Sequence, residues 1–142
     1  NSHHGSNTFV RDPWFITNDK TIVHEEIGEF KFDHVFASHC TNLEVYERTS
    51  KPMIDKLLMG FNATIFAYGM TGSGKTFTMS GNEQELGLIP LSVSYLFTNI
   101  MEQSMNGDKK FDVIISYLEI YNERIYDLLV WGQSYRSHRK KM

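Results

Sequence analysis

Residues 64–79 read TIFAYGMTGSGKTFTM. The short apolar run at 63–68 is typical of a central strand that is covered on both faces. The next eight residues, 69–76, read GMTGSGKT and satisfy the pattern G-x-x-x-x-G-K-[ST] in full. Residues 75–79 are predicted to begin a helix. Glycines allow backbone N–H groups to approach an anion, so the stretch predicts a phosphate-binding loop between a strand and a helix.

Each residue type in this loop has a chemical reason to be there. Lys75 is predicted to reach the β- and γ-phosphates, and the Thr76 hydroxyl to complete the coordination of Mg²⁺. The alternative is a glycine-rich turn with a solvated lysine. The motif alone does not choose among kinases, GTPases, ATPases and motors. The predicted phosphate-binding residues are Gly69, Met70, Thr71, Gly72, Ser73, Gly74, Lys75 and Thr76.

The composition is that of a globular domain. The chain has 142 residues, the usual size of one domain, and 41% of them are hydrophobic and 22% charged. A net charge of −3 argues against a nucleic-acid partner. A single cysteine, Cys40, excludes an internal disulfide framework, and no apolar run is long enough to cross a bilayer. We therefore expect neither nucleic-acid nor membrane binding.

Hydrophobic periodicity predicts alternating strands and helices, and hence an α/β sheet. Thr41 and Glu44 match a capping box at the start of the first helix, and Pro52 is expected to kink or divide that helix. Asn122 is predicted to cap the last helix. In chain order, the predicted elements are a strand at 30–36, a helix at 41–60, a strand at 63–68, a helix from 75, an exposed loop at 80–87, a helix at 89–103, a strand at 111–121 and a short helix at 122–129.

Three stretches together resemble the kinesin motor domain. They are VYERTSKPMIDKLLMGFNATIFAYGMTGSGKTFTMSG at 45–81, GLIPLSVSYLF at 87–97 and SYLEIYNERIYDLL at 116–129. The likeness runs from about Phe30 to Leu129. The methionine at position 70 makes the loop similar to that of fungal cytoplasmic kinesins near the centromere-protein-E-like class. The resemblance implies an α/β fold, a P-loop NTPase-type three-layer sandwich, of which this chain holds part.

The resemblance also implies an activity and its ligands. Kinesins are ATPases that move along microtubules, so ATP and Mg²⁺ are the implied cofactors, and microtubules (tubulin) the implied partner. Phe77 falls where the family often places a ring near adenine; packing in the first helical turn is the alternative. The implied location is the cytoplasm and its microtubule cytoskeleton. The resemblance also implies that most microtubule contacts lie outside this chain and that the complete protein is dimeric.

Two family motifs for hydrolysis are missing from the chain. Kinesins carry switch segments like N-x-x-S-S-R-S-H and D-x-x-G-x-E; the chain has no Asp-x-x-Gly, and SYRSH at 134–138 lacks the upstream Asn. The RDPW at 11–14 is a poor match to the family's adenine-contacting Arg-x-Arg-Pro. The catalytic residues are therefore unknown. Two alternatives stay open: another P-loop ATPase, and a degenerate motor-like module that binds a partner or nucleotide without hydrolysis.

Other candidate sites are weaker. Glu119 after an apolar run is an alternative metal-facing acid, and His24, His34 and the His39–Cys40 pair have no partners at metal-ligand spacing. We expect an N-terminal flank or cloning remnant at 1–20, a partial motor domain at 21–129 and a basic atypical tail at 130–142. The tail cations are expected to be solvated: Arg136, Arg139, Lys140 and Lys141. The chain alone is expected to be poorly stable.

Overall fold

The computed structural model describes residues 13–107, 109–130 and 134–135 of the chain. The described residues fall into two compact units that divide between Met101 and Glu102. Their elements, in chain order, are β1 (Trp14–Asn18), β2 (Thr21–His24), β3 (Gly28–Lys31), α1 (Asn42–Arg48), α2 (Ser50–Leu58), α3 (Lys75–Ser80), α4 (Leu88–Met105), β4 (Leu118–Tyr121), β5 (Arg124–Asp127) and β6 (Ser134–Tyr135).

The first three strands form an antiparallel meander in the order β1-β2-β3. Aromatic rings hold one end of it together: the Trp14 ring lies edge-on to His24 with centroids 4.7 Å apart, and 5.8 Å from the ring of Phe30. Such pairs stabilise adjacent strands beyond the area they bury. β1 lies within the segment 1–20 that was predicted as a flank, so part of that segment is paired into a sheet.

The predicted strand at 30–36 forms only at its start. β3 ends at Lys31. Beyond it, the N–H groups of Phe32 and Val35 donate to carbonyls of the β1–β2 turn, at 2.8 and 2.7 Å, rather than to a neighbouring strand. The prediction was wrong after Lys31 because those turn carbonyls offer the backbone another set of acceptors, which the period-two pattern of phenylalanines does not reveal.

The N-terminus of α1 has the predicted capping box. The N–H of Glu44 donates to the Thr41 hydroxyl at 3.2 Å, and the N–H of Thr41 donates to the Glu44 carboxylate at 2.7 Å. Two of the N–H groups at the start of the helix, which have no partner within it, are thereby satisfied. The prediction for this residue pair is confirmed.

The predicted division of the helix is also confirmed. α1 ends at Arg48 and α2 begins at Ser50, with Thr49 between them. Pro52 lacks the N–H that would bond to the Arg48 carbonyl, and its ring crowds that same carbonyl. The helix therefore breaks one turn before the proline.

The core of the first unit is small. The buried apolar side chains of the described residues are Tyr46, Ile54 and Leu88, from α1, α2 and α4. A polar contact adds to this packing, since the Tyr95 hydroxyl on α4 donates to the Asp55 carboxylate on α2 at 2.7 Å. That hydrogen bond raises the pKa of the Tyr95 hydroxyl above its ordinary value. This hydrogen bond joins α4 to α2.

The predicted strand at 63–68 does not pair with another strand. The structure assigns no helix or strand to 61–69. Burial nevertheless alternates with period two: Ala63, Ile65 and Ala67 are half-buried, whereas the residues between them are exposed. This is the pattern of a strand packed on one face. The ladder is missing because no other segment among the described residues supplies a parallel neighbour.

The helices after this segment follow the prediction. α3 begins at Lys75 as expected, a loop separates it from α4, and α4 covers the helix predicted at 89–103 with a turn or less added at each end. No helix within the described ranges combines the length and the apolarity needed to cross a membrane.

The second unit contains an antiparallel sheet in the order β4-β5-β6. Only the last four residues of the strand predicted at 111–121 form a strand. The helix predicted at 122–129 was wrong: Asn122 and Glu123, with φ of 48° and 60°, are the two turn residues of a hairpin that continues into β5. Two successive positive φ values are typical of a type I′ turn, which Asn favours. Asn122 is therefore a turn residue and not a helix cap.

Candidate functional site

The candidate site is the glycine loop at 69–74 and the helix that follows it. The loop begins where the half-buried segment at 61–69 ends, and α3 begins immediately after Gly74. Gly72 and Gly74 have φ of 83° and 88°. Residues with a Cβ pay about 1–2 kcal/mol for this left-handed conformation, so the two glycines allow a backbone path that other residues resist.

The amide groups that follow this loop are free to bind an anion. Among the described residues, no backbone carbonyl accepts a hydrogen bond from the N–H of residues 74–77. The first N–H of the helix with a partner belongs to Thr78, which donates to the Gly74 carbonyl at 2.9 Å. Several consecutive unpaired N–H groups form the kind of concavity that binds phosphate in other proteins.

The Lys75 side chain extends back across the loop. Its ammonium donates to the carbonyl oxygens of Gly69 at 2.9 Å and Met70 at 2.7 Å. The side chain is half-buried, and its position joins the end of the loop to its beginning. The cation and the free amides therefore belong to one short segment, which places the positive charge close to the anion-binding backbone.

Three other residues predicted to contact the nucleotide have exposed side chains. Thr76 and Met70 are exposed, and the Phe77 ring is 41% exposed. An ammonium group and unpaired amides fit a phosphate group, and an accessible hydroxyl on Thr76 is an oxygen ligand of the type Mg²⁺ prefers. The residues present thus fit a magnesium–nucleotide complex.

The middle of α3 is held by a residue that the sequence analysis did not predict to take part in the site. The Phe77 carbonyl accepts two hydrogen bonds, one from the Gly81 N–H at 2.8 Å and one from the side-chain amide of Asn42 at 3.1 Å. Asn42 is the first residue of α1 and is 5% exposed. Its backbone N–H donates to the carboxylate of Glu85 in the loop after α3. Helical patterning placed Asn42 in a helix but gave no signal of these long-range contacts.

The other candidate residues are not brought together. Within 13–107 and 109–130, no three His, Cys, Asp or Glu side chains converge on a possible metal position. Glu119 is exposed on β4, where it stands opposite Tyr126 of β5. The side chains of the tail cations Arg136, Arg139, Lys140 and Lys141, and of the SYRSH segment, lie outside the described residues.

Comparison with protein families places these features in context. The kinesin motor domain family model matches residues 3–142. The chain is 98% identical over 132 residues to kinesin-like protein KIP2 of Saccharomyces cerevisiae. The aligned residues make up 93% of the chain and 19% of that protein. The chain thus spans about a fifth of the length of this curated relative.

Solved structures agree with the family match. One neighbour is Drosophila NOD, from a structure in which NOD and bovine tubulin are docked into a map of nucleotide-free NOD complexed to the microtubule. It superposes with a TM-score of 0.75 at 31% identity, and the match covers 91% of the chain and 46% of NOD. Drosophila Kin10/NOD in complex with divalent manganese and ADP superposes with a TM-score of 0.71 at 32% identity, with the same coverage. The predicted α/β fold of P-loop NTPase type, present in part, is confirmed by these neighbours.

Proposed function

Because the chain belongs to the kinesin motor domain family, we propose that it is the ATP-binding segment of a microtubule-based motor. In the intact protein, hydrolysis of ATP is coupled to movement along microtubules. The observation that carries this proposal is the loop at 69–76, in which left-handed glycines, unpaired amides and the Lys75 ammonium occur within eight residues.

The residues of the loop have separate roles in this proposal. The amides of residues 74–77 donate to phosphate oxygens, and Lys75 exchanges its carbonyl partners for the β- and γ-phosphates. Thr76 provides a hydroxyl ligand to Mg²⁺, and the Phe77 ring lies near adenine. When bound, the metal ion neutralises the charge that develops on the phosphates. Manganese and ADP in the complex of Kin10/NOD support the choice of an adenine nucleotide with a divalent cation.

Microtubules are the proposed partner of the intact protein. The support comes from NOD, a structural neighbour that was studied as a complex with the microtubule. The microtubule contacts of this protein are proposed to lie mostly outside the 142 residues, in a dimeric protein located at the cytoplasmic microtubule cytoskeleton. The residues that orient the attacking water are not assigned, because the chain contains no Asp-x-x-Gly.

A second candidate function rests on the same phosphate loop. A motor-like module that binds nucleotide or a partner without hydrolysis needs the phosphate loop but not the switch segments. The two functions differ in turnover rather than in binding. Microtubule-stimulated release of phosphate by the intact protein supports the motor, whereas tight binding of Mg-ATP with no release of phosphate supports the module.

Replacement of Lys75 tests the phosphate loop directly. In the intact protein we expect Lys75→Ala to weaken binding of a fluorescent Mg-ATP analogue by about a hundredfold, because two charge-assisted hydrogen bonds are lost. Lys56→Ala is the matched control: Lys56 is exposed on α2, and its ammonium has no partner among the described residues. Unchanged affinity in the Lys75 variant would refute the assignment of the phosphate loop.

A further inference from the structure

We propose that Asn42 is a positioning residue for the phosphate loop, and that the loop at 81–87 acts on the nucleotide site through it. The inference rests on the proposed function, because it concerns the affinity of that site for Mg-ATP. Three contacts carry it: the loop to Glu85, Glu85 to Asn42, and Asn42 to α3.

The loop at 81–87 is ordered by its own hydrogen bonds, although its tip is exposed. The Asn82 side-chain oxygen accepts from the N–H groups of Gln84 at 2.9 Å and Glu85 at 2.8 Å, and the Asn82 N–H donates to the Glu85 carbonyl at 2.8 Å. At the base, Gly81 and Leu86 form a β-bridge. A Cβ at Gly87 would lie 2.5 Å from the Met79 carbonyl oxygen, so the loop closes directly against α3.

This order fixes the Glu85 carboxylate at the start of α1. There it accepts from the N–H of Asn42, one of the donors that has no partner within the helix. A carboxylate in this position also interacts favourably with the positive end of the helix dipole. The contact joins residues that are 43 positions apart in the chain, so it depends on the fold and not on local sequence.

Asn42 then connects α1 to α3. Its side-chain amide donates to the Phe77 carbonyl from a site that is almost fully buried. α3 has only six residues, and the Phe77 carbonyl lies within one turn of Lys75 and Thr76. A helix this short moves as a unit, so a contact that fixes the Phe77 carbonyl in its middle also fixes the amides and the ammonium at its N-terminus.

Asn42→Asp tests the positioning role. The substitution keeps the shape of the side chain but places a carboxylate in an almost fully buried site beside that of Glu85, so the folded fraction of the variant is measured together with its Kd. It replaces the donor to Phe77 with an oxygen that repels the carbonyl. We expect Kd for Mg-ATP in the intact protein to rise roughly two- to tenfold, the range for one lost hydrogen bond. Glu85→Ala, at a half-buried position of the network, should raise Kd in the same direction.

Asn99→Ala is the matched control. The Asn99 side-chain amide also donates to a helix carbonyl, that of Tyr95 at 2.9 Å, but on α4. All variants are measured at a temperature well below unfolding, so that loss of folded protein does not contribute. The expected result is weaker Mg-ATP binding for Asn42→Asp and Glu85→Ala, with Asn99→Ala equal to the unaltered protein.

The outcomes distinguish this inference from the function on which it rests. If Lys75→Ala abolishes binding while the Asn42 and Glu85 variants bind normally, the positioning role is wrong and the phosphate loop stands. If Asn99→Ala weakens binding as much as Asn42→Asp, the effect is general destabilisation and the inference is also wrong. If Lys75→Ala binds normally, the proposed function itself fails. Should Asn42→Asp not fold, Glu85→Ala decides the question.

Discussion

Glu44 shows how one side chain contributes to stability at the level of a residue. Its carboxylate accepts from the Thr41 N–H and from the Thr41 hydroxyl, at 2.7 and 3.0 Å. The hydrogen bond from the Thr41 backbone, followed by that from its side chain, lowers the pKa of Glu44 below its ordinary value of 4.5. Charged Glu44 therefore stabilises α1, and protonated Glu44 does so less.

The resulting prediction concerns acid stability. A carboxylate with a lowered pKa contributes its full stabilisation above its pKa in the unfolded chain and loses it as the pH falls through the folded value. The Glu44→Gln variant keeps an acceptor but does not titrate there. We expect the unaltered protein to be more stable than Glu44→Gln near neutral pH, with the difference shrinking below about pH 4.5. Thermal unfolding followed by circular dichroism at several pH values checks this; a difference that does not depend on pH would contradict it.

At the scale of elements, local signals explain the helices, whereas a missing strand partner and an unrecognised turn explain the errors. The capping box at Thr41, the break caused by Pro52 and the start of α3 depend on neighbouring residues, and the sequence predicted all three. The strand at 63–68 lacks a parallel neighbour among the described residues, and patterning cannot supply one. The turn at Asn122 was missed for a local reason: asparagine favours both helix N-caps and type I′ turns, so its presence does not distinguish the two.

The candidate site divides in the same way. Its loop follows from a contiguous motif, and the amides and Lys75 are where the motif implies. The roles of these residues in binding stay predictions. Asn42 and Glu85 were missed because neither belongs to a motif: an asparagine at the start of a helix is common, and only the folded chain brings it to the Phe77 carbonyl.

The turn between β4 and β5 gives a prediction for a single element. Glu123 has a φ of 60°, which costs a residue with a Cβ about 1 kcal/mol relative to glycine. We expect Glu123→Gly to stabilise the hairpin by about that amount and Glu123→Val to destabilise it. The measurement is hydrogen exchange in the intact protein at the Leu128 amide, which donates to the Tyr117 carbonyl at 2.8 Å.

The same change elsewhere is the control. Glu83 lies exposed in the loop at 81–87 and is not among the residues with positive φ. Glycine there adds freedom to the unfolded chain without relieving strain, so Glu83→Gly should give no protection. Faster exchange at Leu128 in the Glu123→Gly variant would show that the strain argument is wrong.

At the scale of the whole molecule, the described residues expose much apolar surface. Phe66 is 79% exposed and Ile114 is 90% exposed, each in a segment that the sequence predicts as a strand. Only three apolar side chains are buried among the described residues. Soluble proteins rarely leave such surface uncovered. The chain matches 46% of its structural neighbour NOD, so we expect the remainder of the motor domain to cover this surface.

The stability of the isolated chain follows from this surface. We expect the 142-residue chain alone to unfold over a broad temperature range and to bind a hydrophobic dye such as ANS, because its core is too small to offset the conformational entropy of folding. The complete motor domain under the same conditions is the control and should unfold cooperatively with little dye bound. A sharp transition without dye binding in the short chain would contradict the expectation.

The alternation at 63–67 has a consequence for how the central sheet is completed. Ala63, Ile65 and Ala67 already face inward, so this segment has its orientation before any neighbouring strand adds to it. A slip by one residue would turn Phe66 and Tyr68 inward and the small alanines outward, which the packing beneath could not accept. A strand that pairs with this segment must therefore adopt the register that keeps the alanines inward. The phosphate loop leaves from the end of the segment, so the packing that orients the segment also sets the direction in which the loop begins.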